Sequence, residues 1–245
     1  MNFNDTLSAI FETYAQQELN PKLWDGTNLR PKIAQKLRQI AEDFAAEYDI
    51  PKNAIEDTII TGSLANYTWT EFSDIDIHLV VDFAKIHADT ELVEDYYRLA
   101  KVVWNHDHTI EICGHEVELY VQDMSEDHYS TGVYSLQDHE WLVIPKKGAG
   151  SIPDEKQVDD KAEKYITQID NIEYSADHDE DTSEDIKNLR DKIKTMRQAG
   201  LSNSGEYSLE NLVFKKLRNG GHLEKLSNLR KKSYDKKMSV ECPTD

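Results

Sequence analysis

Apolar positions recur at helical spacing twice near the start of the chain. Phe3, Leu7, Ile10, Phe11, Tyr14 and Ala15 predict an amphipathic helix over residues 3–19, with Asn4 or Asp5 as its cap. Ile33, Leu37, Ile40, Ala41, Phe44 and Tyr48 predict another, opened at about Pro31, a residue suited to the first helical turn, and ended by Pro51. The period then shortens. A strand at 57–61 closes on Ile59-Ile60, Gly62-Ser63 breaks it, a short helix runs to about Trp69, and a strand covers 74–82. A third long helix, from about Thr90 to Asn105, is apolar around so much of its girth that it is expected to pack on the sheet. Residues 109–113 and 116–122 predict a hairpin through Gly114, and 132–136 with 140–144 a shorter strand pair. The class this predicts is α+β, a mixed sheet flanked by helices.

Pro145-Lys-Lys-Gly-Ala-Gly-Ser-Ile-Pro153 interrupts all periodicity and places a boundary between a mixed domain, residues 1–150, and a helical domain, residues 151–245. In the latter, helices are expected at about 154–173, 184–199, 207–218 and 221–232, stopped by Gly200, Gly205 and Gly220-Gly221, which makes a small bundle. Residues 174–185 read as an acidic loop too polar to pack. A Ca²⁺-loop reading of Asp177, His178, Asp179 and Asp181 fails, because the glycine and terminal glutamate such a loop needs are absent.

The stretch with chemistry in it runs from Thr61 to Asp82. Gly62-Ser63 reads as a strand-to-helix turn with backbone N–H groups able to hold phosphate. About ten residues later, Asp74 and Asp76 stand two apart on a strand and project from one face. Paired carboxylates repel unless a cation sits between them, and a hard divalent ion such as Mg²⁺ takes one or two carboxylates together with substrate phosphates. His78 shares that face but is expected to be a packed histidine, and Tyr67 and Trp69 to anchor the turn rather than stack a base.

Gly-Ser, a spacer and Asp-x-Asp within an apolar strand resemble the DNA polymerase β-like nucleotidyltransferase superfamily, over roughly residues 55–125. That family also carries a third acid on a later strand. Glu118, between Val117 and Leu119, matches its apolar-acid-apolar triplet better than Glu116, which follows His115. The alternative, that alternating acids merely keep a strand edge soluble, needs the Gly-Ser turn and the later glutamate to be coincidences. The resemblance implies a nucleotidyltransferase-like core in which Asp74, Asp76 and Glu118 are catalytic residues and ligands of two Mg²⁺ (or Mn²⁺) ions. It implies that Gly62 and Ser63 hold the β- and γ-phosphates of an NTP, most simply ATP, and that a cation meets the triphosphate. Lys215, Lys216 and Arg218, on a basic helix, are the candidates for that cation, and Tyr134 a nucleotide contact. The Asn-Pro-Lys-Leu-Trp-Asp-Gly segment and GluTyrSerLeuGluAsnLeuValPheLysLysLeuArg are similar to predicted nucleotidyltransferases of tailed bacteriophages.

Charge narrows the partners. The net charge is −19, yet residues 185–237 carry 14 Lys+Arg against 6 Asp+Glu, and residues 1–184 carry 14 against 39. Extended nucleic acid would be repelled by most of this surface, whereas a triphosphate or a short end could be received by the basic helices. Alternatively the basic stretch only neutralises the acidic domain. No run approaches the ~20 apolar residues that span a bilayer, and the N-terminus lacks the basic start of a signal peptide. Two cysteines, Cys113 and Cys242, are too few for a disulfide framework and have no zinc spacing. A cytoplasmic protein is expected, in the host cell if phage-encoded.

Three functions share this motif set. The first is transfer of a nucleoside monophosphate to a hydroxyl acceptor, a small molecule, a protein side chain or an RNA end. The second is a non-catalytic module binding nucleotide, RNA or protein, against which three intact acids argue. The third is synthesis of a nucleotide second messenger.

Overall fold

In the computed structural model, residues 16–126, 130–147, 153–178 and 180–239 are described. The helix expected over 3–19 lies outside these except for its last residues, 16–19, which are not helical and bend at 17–19. The chain divides into two compact units, Met1–Ala149 and Gly150–Asp245.

The first unit opens on a two-stranded ribbon, β1 (Trp24–Asp25) and β2 (Asn28–Leu29). It positions Trp24, whose indole N–H donates to the Leu64 carbonyl at 2.8 Å and whose ring stacks on Trp141. Helix α1 (Pro31–Glu47) begins on its proline and buries the expected stripe, Ile33, Leu37, Ile40, Ala41 and Phe44. The strands that follow are β3 (Ile55–Thr61), β4 (Ile75–Val81), β5 (Glu111–Ile112), β6 (His115–Asp123), β7 (Val133–Ser135) and β8 (Glu140–Val143). They form a six-stranded mixed sheet in the order β5-β6-β4-β3-β7-β8, parallel only between β4 and β6. This is the α+β arrangement the alternating periods predict. Helix α2 (Thr90–Asp107) makes the crossover between the two parallel strands, as a parallel pair requires. The β5–β6 connection has Cys113 at φ 56° and Gly114 at φ 84°, the left-handed pair that a two-residue hairpin turn needs.

Alternation along β4 sorts the sheet into two faces. Ile75, Ile77 and Leu79 point into the main core with Ile60, Val117, Leu119, Leu136 and the inner residues of α1 and α2. The opposite face carries Asp76 and His78, with a small apolar cluster of Ile59, Val80 and Val133. Helix α2 packs on the sheet as expected, but by one stripe only. It buries only Val93, Tyr97, Ala100 and Trp104, one stripe at helical spacing, and leaves Leu92, Tyr96, Leu99, Val102 and Val103 more than half exposed. A helix lying along the edge of a sheet has one face to bury, however apolar the rest of its girth. Where a short helix to Trp69 was expected, a single 3₁₀ turn, Ser63–Ala65, is followed by turns.

The second unit is helical: α3 (Glu155–Asp177), α4 (Ser183–Ser204), α5 (Leu209–Asn219) and α6 (His222–Met238). Two sequence expectations are corrected. The acidic loop expected at 174–185 is shorter, because the buried series Val158, Ala162, Tyr165, Ile169, Ile172 carries α3 on to Asp177 and α4 begins at Ser183. Gly200 does not stop α4 but lies inside it, where a Cβ would stand 2.5 Å from the Cβ of Glu210. It permits the approach of α5, itself capped by Ser208, whose hydroxyl accepts from Asn211 N–H. Among the described residues no helix is long and apolar enough to cross a membrane.

Candidate active site

The site is built by register. Parallel pairing of β4 with β6 sets Asp76 opposite Glu118, His78 opposite Tyr120 and Val80 opposite Gln122, and β3 sets Thr61 opposite Asp76 on the other side. Neighbours in register share a sheet face, so Asp76 and Glu118 stand side by side, across adjacent strands about 4.8 Å apart. Asp74 is one residue ahead of β4, and its charge reaches Tyr120 together with those of Asp76 and Glu118.

Gly62 closes against this pair. Its backbone has φ 74° and ψ −161°, and a Cβ there would fall 1.9 Å from Asp76 Oδ2. A glycine is demanded twice, by the conformation and by the carboxylate. Ser63 donates its hydroxyl hydrogen to Ser73 Oγ at 2.8 Å, and Ser73 Oγ also accepts from Thr70 N–H at 2.9 Å. Its hydroxyl therefore braces the turn that leads to Asp74.

His115 fixes the same turn from the other end. Asn20 Oδ1 accepts from Lys22 N–H, which orients its amide so that Nδ2 donates to His115 Nε2 at 3.0 Å. On the other side of the ring, Nδ1–H donates to the Ser73 carbonyl at 2.7 Å. This ring is buried and structural, and it ties the entry segment, β6 and the approach to Asp74 together.

Two residues that sequence reasoning passed over complete the polar face. Tyr120 donates its hydroxyl to Glu118 Oε2, and its ring stacks against His78, with centroids 4.9 Å apart. Burial, the Glu118 hydrogen bond and the nearby charges of Asp76, Glu118 and Asp74 hold the phenol far above its usual range, so it remains a donor. Lys101 on α2 places its ammonium 3.6 Å from the Tyr120 ring centroid. Burial pulls its pKa down, against the opposing pull of Glu118 and then Asp76. His78 also bonds Gln122 through Nδ1.

The reach of Lys101 is set one turn later. Asn105 Nδ2 donates to the Leu119 carbonyl at 3.0 Å, and Leu119 N–H donates to Asn105 Oδ1 at 3.1 Å. One side-chain amide thus acts as a strand partner on the edge of β6, between Glu118 and Tyr120. Asn105→Ala should cost about 1–3 kcal/mol of stability, since two backbone groups lose their partner. Chemical denaturation measures it, and a loss below about 0.5 kcal/mol would deny the clamp.

Tyr134, Lys215, Lys216 and Arg218 remain. Tyr134 is corrected from a nucleotide contact to a core residue: its partner Ile60 faces Ile77, on the side of the sheet away from the acids, and it packs edge-on to Trp24 and Trp141. Lys215, Lys216 and Arg218 are on α5 of the second unit, where Lys216 is ion-paired with Asp159. Within the first unit, Lys101 is a cation already beside the acids. A lysine on a helix with few other marks carries no signal in sequence, although Tyr120, two residues after Glu118, does so by strand alternation.

Among the described residues no group of three or more His, Cys, Asp or Glu side chains is gathered so as to hold a metal ion. Glu118 is instead engaged by Tyr120. The donors are nonetheless of the hard-oxygen kind, and Mg²⁺ needs only one or two carboxylates when substrate phosphates supply other ligands. Asp76 and Glu118 fit that role better than a preformed all-protein cage.

No protein-family model and no curated protein matches the chain. Among solved structures the chain is similar to that of a STING-associated CdnE c-di-GMP synthase from Capnocytophaga granulosa, at 13% identity over 96% of this chain and 98% of that one, with a TM-score of 0.27.

Proposed function

We propose that the protein is a nucleotidyltransferase that moves a nucleoside monophosphate from an NTP, ATP first among them, to a hydroxyl acceptor. The observation that carries this reading is the register pairing of Asp76 with Glu118 beside a glycine whose absent side chain leaves room at Asp76. The acceptor oxygen forms a bond to the α-phosphorus, the bond to the β-phosphate oxygen breaks, and pyrophosphate leaves with that electron pair. Asp74, Asp76 and Glu118 would hold Mg²⁺ or Mn²⁺ together with the phosphates, and such ions supply charge stabilisation to the attacking and leaving oxygens. Gly62 lets the phosphates approach the backbone closely. Tyr120 fixes one oxygen of Glu118 and leaves the other to take the proton of the acceptor hydroxyl. Asp76 orients the nucleotide, and the Ser63–Ser73 and His115–Ser73 bonds hold the segment on which Asp74 rides.

The acidity of residues 1–184 favours a compact acceptor, a small molecule, a protein side chain or an RNA end, over extended nucleic acid. Incubating the protein with each NTP labelled on the α-phosphate, with Mg²⁺ or Mn²⁺ and a cell lysate, tests this. Label is expected in a protein, RNA or small-molecule fraction, for at least one NTP. Its absence from all of them, in a folded preparation, contradicts the proposal.

A further inference from the structure

The site has a cation of its own unit beside it. Asn105 clamps α2 to the edge of β6, and Lys101, four residues earlier on the same helix face, reaches over Tyr120. Tyr120 in turn engages Glu118, and His78 and Gln122 back the tyrosine from the neighbouring positions. Glu118 is thus held by the Tyr120 hydroxyl, and an ammonium stands near both acids.

We propose that Lys101 and Tyr120 form a latch on the Asp76–Glu118 pair, so that a divalent cation enters the site together with a phosphate-bearing substrate rather than ahead of it. The inference rests on the transferase reading of the same site. An ammonium beside two carboxylates offsets part of their charge and repels an incoming dication. A triphosphate reverses the balance. Its oxygens draw the ammonium off the tyrosine ring, a contact weak enough to exchange, and Lys101 becomes the cation that meets the phosphates. Metal and nucleotide then raise each other's affinity by the same factor, as linkage requires.

The test is a Mn²⁺ titration of the full chain, followed by the paramagnetic resonance signal of the free ion, with and without a non-hydrolysable NTP analogue. Wild type, Lys101→Met, Tyr120→Phe and Asp76→Asn are compared, each checked for folding by circular dichroism. Lys101→Met is expected to bind Mn²⁺ alone on the order of tenfold more tightly than wild type, with the gain from added nucleotide shrinking by a similar factor. Tyr120→Phe should move in the same direction by less, and carries the test if Lys101→Met does not fold. If both bind Mn²⁺ alone as wild type does while Asp76→Asn abolishes binding, the latch is overturned and the site stands. If Asp76→Asn leaves Mn²⁺ binding unchanged, the site reading fails and the latch with it.

Discussion

Asp76→Asn is expected to lower nucleotidyl transfer on the order of a thousandfold while leaving the melting temperature level or slightly higher. The substitution keeps the side chain's shape and removes the charge that pairs with Glu118 across the β4–β6 register. A carboxylate at that position serves two ends, to hold a cation and to align the phosphates, and an amide does both poorly. Stability moves the other way. Asp76 stands beside Glu118 and close to Asp74, so neutralising it relieves like-charge repulsion. A binding module would show the same stability and retain partner binding without metal. Measuring labelled transfer and thermal unfolding on one preparation separates the two classes: transfer near the wild-type rate would remove Asp76 from the mechanism.

Gly62→Ala should be harmful to both fold and activity. The left-handed φ of 74° at an extended ψ of −161° is a conformation essentially reserved for glycine, and an alanine there costs about 1–3 kcal/mol in backbone strain. Its Cβ would also lie 1.9 Å from Asp76 Oδ2, so the carboxylate must move. A displacement of about 1 Å at a reacting centre can cost about a hundredfold in rate. The steric part can be isolated by a double-mutant cycle. In an Asp76→Ala background the colliding oxygens are gone, and the destabilisation by Gly62→Ala should fall to the backbone share alone. An equal cost in both backgrounds would show that the glycine serves the turn and not the carboxylate.

These effects trace back to features of unequal legibility. Alternation in Asp74-Ile75-Asp76-Ile77-His78 marks a strand with one buried face, and Gly62-Ser63 marks the turn before it, so the sheet's class and the place of Asp76 can be read directly. Glu118 needed the family pattern as well, since its apolar neighbours Val117 and Leu119 set it apart from Glu116 only against that pattern; the register opposite Asp76 is a tertiary fact. Tyr134 misled because its position after β6 says nothing of parity, and its pairing with Ile60 turns it into the core. The girth of α2 foretold its packing on the sheet but not how much of it is covered. Apolar content shows that a helix has something to bury, but only packing shows that an edge position leaves Leu92, Tyr96 and Leu99 exposed. Lys101 and Asn105 share a helix face in any reading, yet what they touch depends on the crossover that lays α2 along β6. In the second unit, the acidity of residues 174–185 suggested a longer loop than forms, because the buried period of α3 carries the helix on to Asp177.

The most direct measurement of the central claim uses two labels in parallel, one NTP carrying label on its α-phosphate and the same NTP carrying it on its γ-phosphate, each incubated with the protein, Mn²⁺ and the acceptor-containing fraction. Nucleotidyl transfer gives α-label bound covalently to the acceptor and γ-label released as pyrophosphate, both lost in Asp76→Asn. Label on the acceptor from the γ-position, or release of free phosphate without any transfer of α-label, would contradict it.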